Sequence, residues 1–178
     1  YITMTTTATE TSVNYLHIGN KLLRQGNFPE AADAYRQVIK LNPKSAVGHQ
    51  NLGETLSLQG NLEEAANIYY QGIQLQKNYP WSYYNLGEIL IKLERFDEAV
   101  IYLRQAIELN PDFSNFHHSL GLALSKKGLF DEAIVTYRRA IEIDPNAILT
   151  YQYLGEVLAC KKQYDEAIES FNQAIGIN

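Results

Sequence analysis

Residues 80 to 113 read PWSYYNLGEILIKLERFDEAVIYLRQAIELNPDF, and the pattern of this stretch decides the fold. Tyr83, Leu86 and Leu90 stand at i, i+3 and i+7, which places them on one stripe of a helix. Asp97 and Glu98 open a second helix, because carboxylates in a first turn interact favourably with the positive end of the helix dipole. This second helix carries the large Leu103 and the small Ala106. It stops at Asn110-Pro111, since proline disfavours helical geometry in the residue before it. The stretch is a helical hairpin, helix A followed by helix B.

The hairpin recurs. Gly19, Gly53, Gly87, Gly121 and Gly155 are each 34 residues apart, and Ala31, Ala65, Ala99, Ala133 and Ala167 keep the same spacing. A fixed period of this length marks a repeat architecture. The chain divides into a polar N-terminal tail at 1–11 and repeats at 12–45, 46–79, 80–113, 114–147 and 148–178, the last with its final helix incomplete or uncapped. In every repeat the glycine takes the eighth place, between an apolar residue at the seventh (Ile18, Leu52, Leu86, Leu120, Leu154) and another at the eleventh (Leu22, Leu56, Leu90, Leu124, Leu158). Helix B repeats a large apolar residue (Tyr35, Tyr69, Leu103, Tyr137, Phe171) and a small one three later. Gly26, Gly60 and Gly128 supply the helix-ending turn conformation, with Glu94 and Lys162 in the matching places of repeats three and five. Small residues in both helices let the axes of a hairpin approach closely. Each hairpin is too short to bury its own apolar faces, so the copies must stack.

The sum of these features resembles the tetratricopeptide repeat family over residues 12 to 178. The resemblance implies an all-α, right-handed superhelical solenoid of antiparallel helix pairs, whose A helices line a concave face that binds a protein or peptide. Lys77 stands where the family has a proline, and Leu103 where it has an aromatic residue.

Composition narrows the function. With 46% hydrophobic and 20% charged residues the chain is globular in type, and its net charge of −5 argues against a nucleic-acid partner, which calls for clustered Lys and Arg. No stretch has the roughly 18 apolar residues of a membrane span. The single Cys160 allows no internal disulfide, and cytoplasm is the expected compartment.

Residues at the second, fifth, ninth and twelfth places of helix A avoid the hairpin interior, and by the family resemblance they face the groove, with the sixth place at its edge. The candidate peptide-binding residues are Asn20, Gln50, Asn51, Glu54, Trp81, Tyr84, Asn85, Glu88, His118, Gln152, Tyr153 and Glu156, with Leu16 and His17 beside them. Trp81 and Tyr84 are large aromatics outside the predicted core, the usual anchors of binding energy. Asn51 and Asn85 fall at matching points of adjacent A helices, and an amide offers donor and acceptor together to an extended peptide backbone. They resemble two rungs of the asparagine ladder in the repeat domain of O-linked N-acetylglucosamine transferases, with His17, Ser119 and Tyr153 at the flanking places. Glu54, Glu88 and Glu156 form an acidic row that favours a basic ligand. Asn20 and Asn51 also match the two asparagines of repeat domains that clamp the acidic tails of heat-shock chaperones. Leu16, Trp81 and Asn85 stand where those domains carry cations, so chaperone-tail binding is rejected.

No catalytic residues, cofactor or metal site is expected. The chain has no Gly-rich phosphate loop, no His-Glu-x-x-His and no paired cysteines. His49 and His117 occupy the fourth place, held elsewhere by Tyr15, Tyr83 and Tyr151, and read as packing residues; Cys160 reads as a spectator thiol. The expected function is a non-catalytic protein-interaction scaffold. Two alternatives stand beside it: a docking module of a larger enzyme, such as a glycosyl- or sulfotransferase, with its catalytic domain elsewhere, and a homo-oligomer formed through the C-terminal helix.

Overall fold

A computed structural model describes residues 2–177, with side chains described from Thr7 onward. Ten α-helices follow one another among the described residues: α1 (Ile2–Arg24), α2 (Phe28–Leu41), α3 (Ala46–Leu58), α4 (Leu62–Leu75), α5 (Pro80–Lys92), α6 (Phe96–Leu109), α7 (Ser114–Lys126), α8 (Phe130–Ile143), α9 (Ile148–Cys160) and α10 (Tyr164–Gly176). They fall into two compact units, an N-terminal unit of residues 1–89 and a C-terminal unit of residues 90–178. Among the described residues no helix is long and apolar enough to cross a membrane.

In the N-terminal unit α1 packs on α2 and α3 on α4, and α2 joins the two hairpins by packing on α3. In the C-terminal unit α7 packs on α8 and α9 on α10, while α6 packs on α7 and α8 on α9. Odd-numbered helices are the A helices and even-numbered ones the B helices.

The close approach of A to B has one repeated cause. A Cβ built at Gly19 would lie 2.6 Å from Tyr35 Cε1; at Gly53 it would lie 2.7 Å from Tyr69 Cε2. In the C-terminal unit Gly121 meets Tyr137 at 2.6 Å and Gly155 meets Phe171 at 2.7 Å by the same construction. The periodic glycine is therefore a slot for the ring of the partner B helix, and any side chain there forces a buried aromatic to move.

Each A helix ends in a pair of backbone bonds that satisfies its last carbonyls. Asn27 N–H donates to Leu22 O and Gly26 N–H to Leu23 O, and the same pair recurs at Leu56, Leu90, Leu124 and Leu158. This ending requires a left-handed residue. Gly26, Gly60 and Gly128 supply it at φ 76°, 80° and 77°, but Glu94 and Lys162 adopt it too, at φ 58° and 62°. The turn thus survives loss of its glycine, at the steric cost that a Cβ brings in this region. B helices open with acidic residues rather than side-chain caps: Asn61, Arg95, Leu129 and Gln163 make no capping bond, while Glu63-Glu64, Asp97-Glu98, Asp131-Glu132 and Asp165-Glu166 sit in the first turns.

Surface ion pairs knit successive repeats. Arg36–Glu64 (2.9 Å) does so in the N-terminal unit, and Arg104–Glu132 (2.9 Å), Arg138–Glu166 (2.7 Å), Lys127–Asp97 and Lys161–Asp131 do so in the C-terminal unit. At the surface each adds little stability; the Arg–Glu pairs recur 28 residues apart and the Lys–Asp pairs 30 apart, which favours this register over others.

The first helix departs from the sequence expectation of a separate tail at 1–11. Helix α1 runs unbroken from Ile2, because no glycine or proline interrupts the chain before Gly19. Ala8, Thr9 and Ser12 flank Val38 and Leu41 of α2 across a shallow cleft, so this extension is part of the folded surface.

Candidate functional site

Side chains at the fourth place brace α3, α5 and α7 against the preceding connection. His49 is buried with Nδ1 2.8 Å from Ser45 O; Tyr83 donates to Lys77 O at 2.8 Å, and His117 Nε2 lies 2.7 Å from Pro111 O. The packing role expected for these histidines is the one the geometry gives them. Tyr83 and His117 serve alike, because each reaches the carbonyl six residues back with a polar tip while burying its ring, whereas His49 turns to the carbonyl four residues back.

In the N-terminal unit the A-helix surface is built from α1, α3 and most of α5. Asn20 and Asn51 are half-buried and touch each other: Asn51 Nδ2 donates to Asn20 Oδ1 at 3.2 Å. Tyr35, whose ring fills the slot at Gly19, donates its hydroxyl to the same Asn20 oxygen at 2.8 Å, with Asn51 close by. One repeat further on, the Tyr69 ring fills the slot at Gly53, with Asn85 near its hydroxyl. Burial raises the hydroxyl pKa of both tyrosines, with nearby Glu54 adding to the rise, so both remain neutral donors. Gln50 donates to Tyr79 Oη at 3.3 Å. Trp81 and Tyr84 are half-exposed on α5 and meet edge to face, ring centroids 5.9 Å apart at 85°. Glu54 is exposed and Glu88 half-buried.

This arrangement changes how Asn20 and Asn51 are read. Asn51 is engaged with Asn20, whose oxygen also takes the hydroxyl of Tyr35 from α2, so part of their capacity is committed within the fold. Sequence reasoning alone does not include Tyr35 and Tyr69 in this surface. The signal for them is the pairing of an eighth-place glycine with a B-helix tyrosine, since a ring lodged in that slot projects its hydroxyl to the far side.

The C-terminal unit holds the remaining candidates, His118, Gln152, Tyr153 and Glu156, on α7 and α9. His118 Nδ1 lies 2.9 Å from Thr150 Oγ1, and burial lowers its pKa, favouring the neutral ring. Its ring contacts Tyr153 (5.4 Å) and Tyr137 (5.8 Å), and Tyr137 stacks on Tyr153 at 6.4 Å and 18°. Gln152 and Glu156 are exposed. Tyr137, outside the set expected from sequence, is fully buried, and its hydroxyl has no partner at hydrogen-bonding geometry. Burial raises its pKa and keeps it protonated, and the neighbouring Ser125 spends its own proton on Leu122 O at 2.8 Å. Cys160 is an exposed free thiol near Glu156.

Tetratricopeptide repeat family models match residues 16–80, 80–113, 114–147 and 136–169. A solved structure of MamA protein is 30% identical, over 95% of this chain and 92% of that one, with a TM-score of 0.90. The chain belongs to the tetratricopeptide repeat family. Another tetratricopeptide structure, YrrB, described as having an unusual peptide-binding site, is 25% identical over 96% of this chain and 88% of its own, with a TM-score of 0.83. MamA from Desulfovibrio magneticus RS-1, residues 41 to the end, matches at 22% identity and a TM-score of 0.90 over 94% of both chains, which shows the tetratricopeptide fold alone. No curated protein matches. The all-α stack of hairpins expected from the 34-residue period is thus the fold observed.

Proposed function

We propose that this chain is a non-catalytic protein-interaction scaffold, and that the A-helix face of its N-terminal unit holds a peptide segment with basic character. The observation that carries the reading is the half-buried Trp81–Tyr84 edge-to-face pair on α5, which shares its helix with Asn85. Large rings held by a neighbour present apolar area with little entropy left to lose, which is what an anchor needs. Glu54 and Glu88 on the same helix surfaces favour Lys or Arg in the ligand. The similarity to YrrB, a tetratricopeptide protein with a peptide-binding site, supports the class of ligand. The single thiol fits a cytoplasmic setting.

Selection from a displayed random-peptide library tests this. The intact chain should enrich sequences pairing an apolar residue with Lys or Arg. A variant with Trp81, Tyr84, Asn51 and Asn85 all changed to Ala should enrich none while keeping its helical circular dichroism. Equal enrichment by the variant would refute the assignment.

A second reading, self-association through α10, rests on a different observation. Ile168 is 57% exposed, whereas the residues at its place in the other repeats, Ala32, Ala66, Val100 and Ile134, are at most 6% exposed; Ile175 is exposed as well. Light scattering over a concentration series should show oligomers that Ile168→Glu with Ile175→Glu abolishes. A monomer at all concentrations would count against it.

A further inference from the structure

The B-helix side of the C-terminal unit carries a groove of about 350 Å³ between α8 and α10. Leu154 and Leu158 of α9 line it, and Ile141 of α8 adds a third aliphatic residue. The groove stays open because of what stands at two repeated places of α10. At the twenty-third place repeat two has Ile68 and repeat four Thr136, whereas repeat five has the smaller Ser170, whose hydroxyl is spent on Tyr151 O at 2.7 Å. At the twenty-sixth place repeat four has Arg139, paired with Asp112 at the end of the preceding repeat (3.7 Å). Repeat five has the neutral Gln173 there, which makes no such tie.

Charged groups stand around the aliphatic residues, and all but one are matched within the fold. Arg138 pairs with Glu166 at 2.7 Å, and Glu142 with Arg139 at 3.0 Å. Glu169 is exposed on the groove and has no ion pair among the described residues. We propose that this groove docks a basic side chain, Lys or Arg, of a partner protein. Its methylene stem lies on Ile141, Leu154 and Leu158, and its cation meets Glu169.

Long cationic side chains meet both demands, since the stem covers apolar surface while the charged head stays in water. A carboxylate would be repelled by Glu169, and a neutral aliphatic chain of the same length would leave that charge unanswered. The surface belongs to α8, α9 and α10, and does not depend on the peptide-binding reading of the A-helix face.

The test uses the full chain, isotope-labelled for NMR, titrated with acetyl-X-N-methylamides in which X is Lys, Arg, norleucine or Glu. The Lys and Arg compounds should bind about fivefold more tightly than the norleucine compound, as one exposed ion pair allows. They should shift the amide signals of Leu154, Leu158, Glu169 and Ser170. Glu169→Gln should level Lys, Arg and norleucine. Gln173→Arg should level them too with the carboxylate still in place, because an Arg four residues after Glu169 on the helix supplies the cation internally. Ser170→Ile, which copies repeat two, should abolish the groove shifts for all four compounds and leave the helical circular dichroism unchanged.

Absence of shifts at the groove, equal affinity for Lys and norleucine, or a Lys preference that persists in Glu169→Gln would overturn the proposal. Shifts confined to the A-helix face of the N-terminal unit would overturn it as well, and would leave the peptide reading standing. Survival of peptide enrichment in the quadruple variant refutes that reading without touching this groove.

Discussion

The two units solve the same packing problem and leave different chemistry on the surface. In both, a B-helix ring fills the gap over an A-helix glycine. In the N-terminal unit the hydroxyl beyond the ring meets an amide, and the face is an internally bonded polar network flanked by Trp81 and Tyr84. In the C-terminal unit the Tyr137 ring stacks on Tyr153, and the face becomes an aromatic cluster around His118 with a donor unspent. Repetition sets the scaffold, and two or three substitutions at fixed places reset what the scaffold presents.

The ring is common to both units, so its removal should have the largest effect and the least asymmetry. Tyr69→Ala and Tyr137→Ala should each cost about 3–5 kcal/mol, read as a lower urea midpoint at similar slope. A much smaller loss in one unit would show that its ring is not a packing residue.

Removing only the hydroxyl should separate the units. Tyr35→Phe breaks the bond to Asn20 and should cost about 1 kcal/mol. Tyr137→Phe deletes an unpaired buried donor and should be neutral, or stabilising by up to about 1 kcal/mol, in the same urea assay. Equal losses at the two positions would mean that Tyr137 is satisfied after all.

The turns make a subtler contrast. Both left-handed turns without glycine, at Glu94 and Lys162, belong to the C-terminal unit. Glu94→Gly and Lys162→Gly should each stabilise by roughly 0.5–1 kcal/mol, since relief of the Cβ clash outweighs the added freedom of the unfolded chain. Gly60→Ala in the N-terminal unit should do the reverse. Thermal melts of the three variants check the signs.

The smallest effect concerns pH. Burial lowers the His118 pKa, so between the ordinary imidazole value near 6.5 and the lower folded value the unfolded chain binds a proton that the folded one does not. Its contribution is present above about pH 6.5 and is lost as pH falls. The drop in melting temperature from pH 7 to 5.5 should be smaller in His118→Gln than in the parent chain; an equal drop would mean that another group carries it.

What is legible in the sequence follows from which interactions are local. The spacing of Gly53, Leu56 and Ala65 reads directly as a hairpin, because helical periodicity and close packing within one repeat depend on residues near one another along the chain. The surface candidates emerge as places but not as partners. By its place Asn51 faces a ligand, yet in the fold it also faces Tyr35 and Asn20, which lie 16 and 31 residues away along the chain. The stretch at 1–11 reads as a tail because it is polar and Thr-rich, although nothing in it breaks the helix that continues from it.

The amino-acid order alone determined the period, the hairpin, the slots for the rings and the class of fold, since each of these follows from helix geometry and side-chain volume. Only the tertiary structure decided which hydroxyls are satisfied, because hydrogen bonding at this face joins three helices from two repeats. A donor's state there depends on what two distant side chains place within about 3 Å of it.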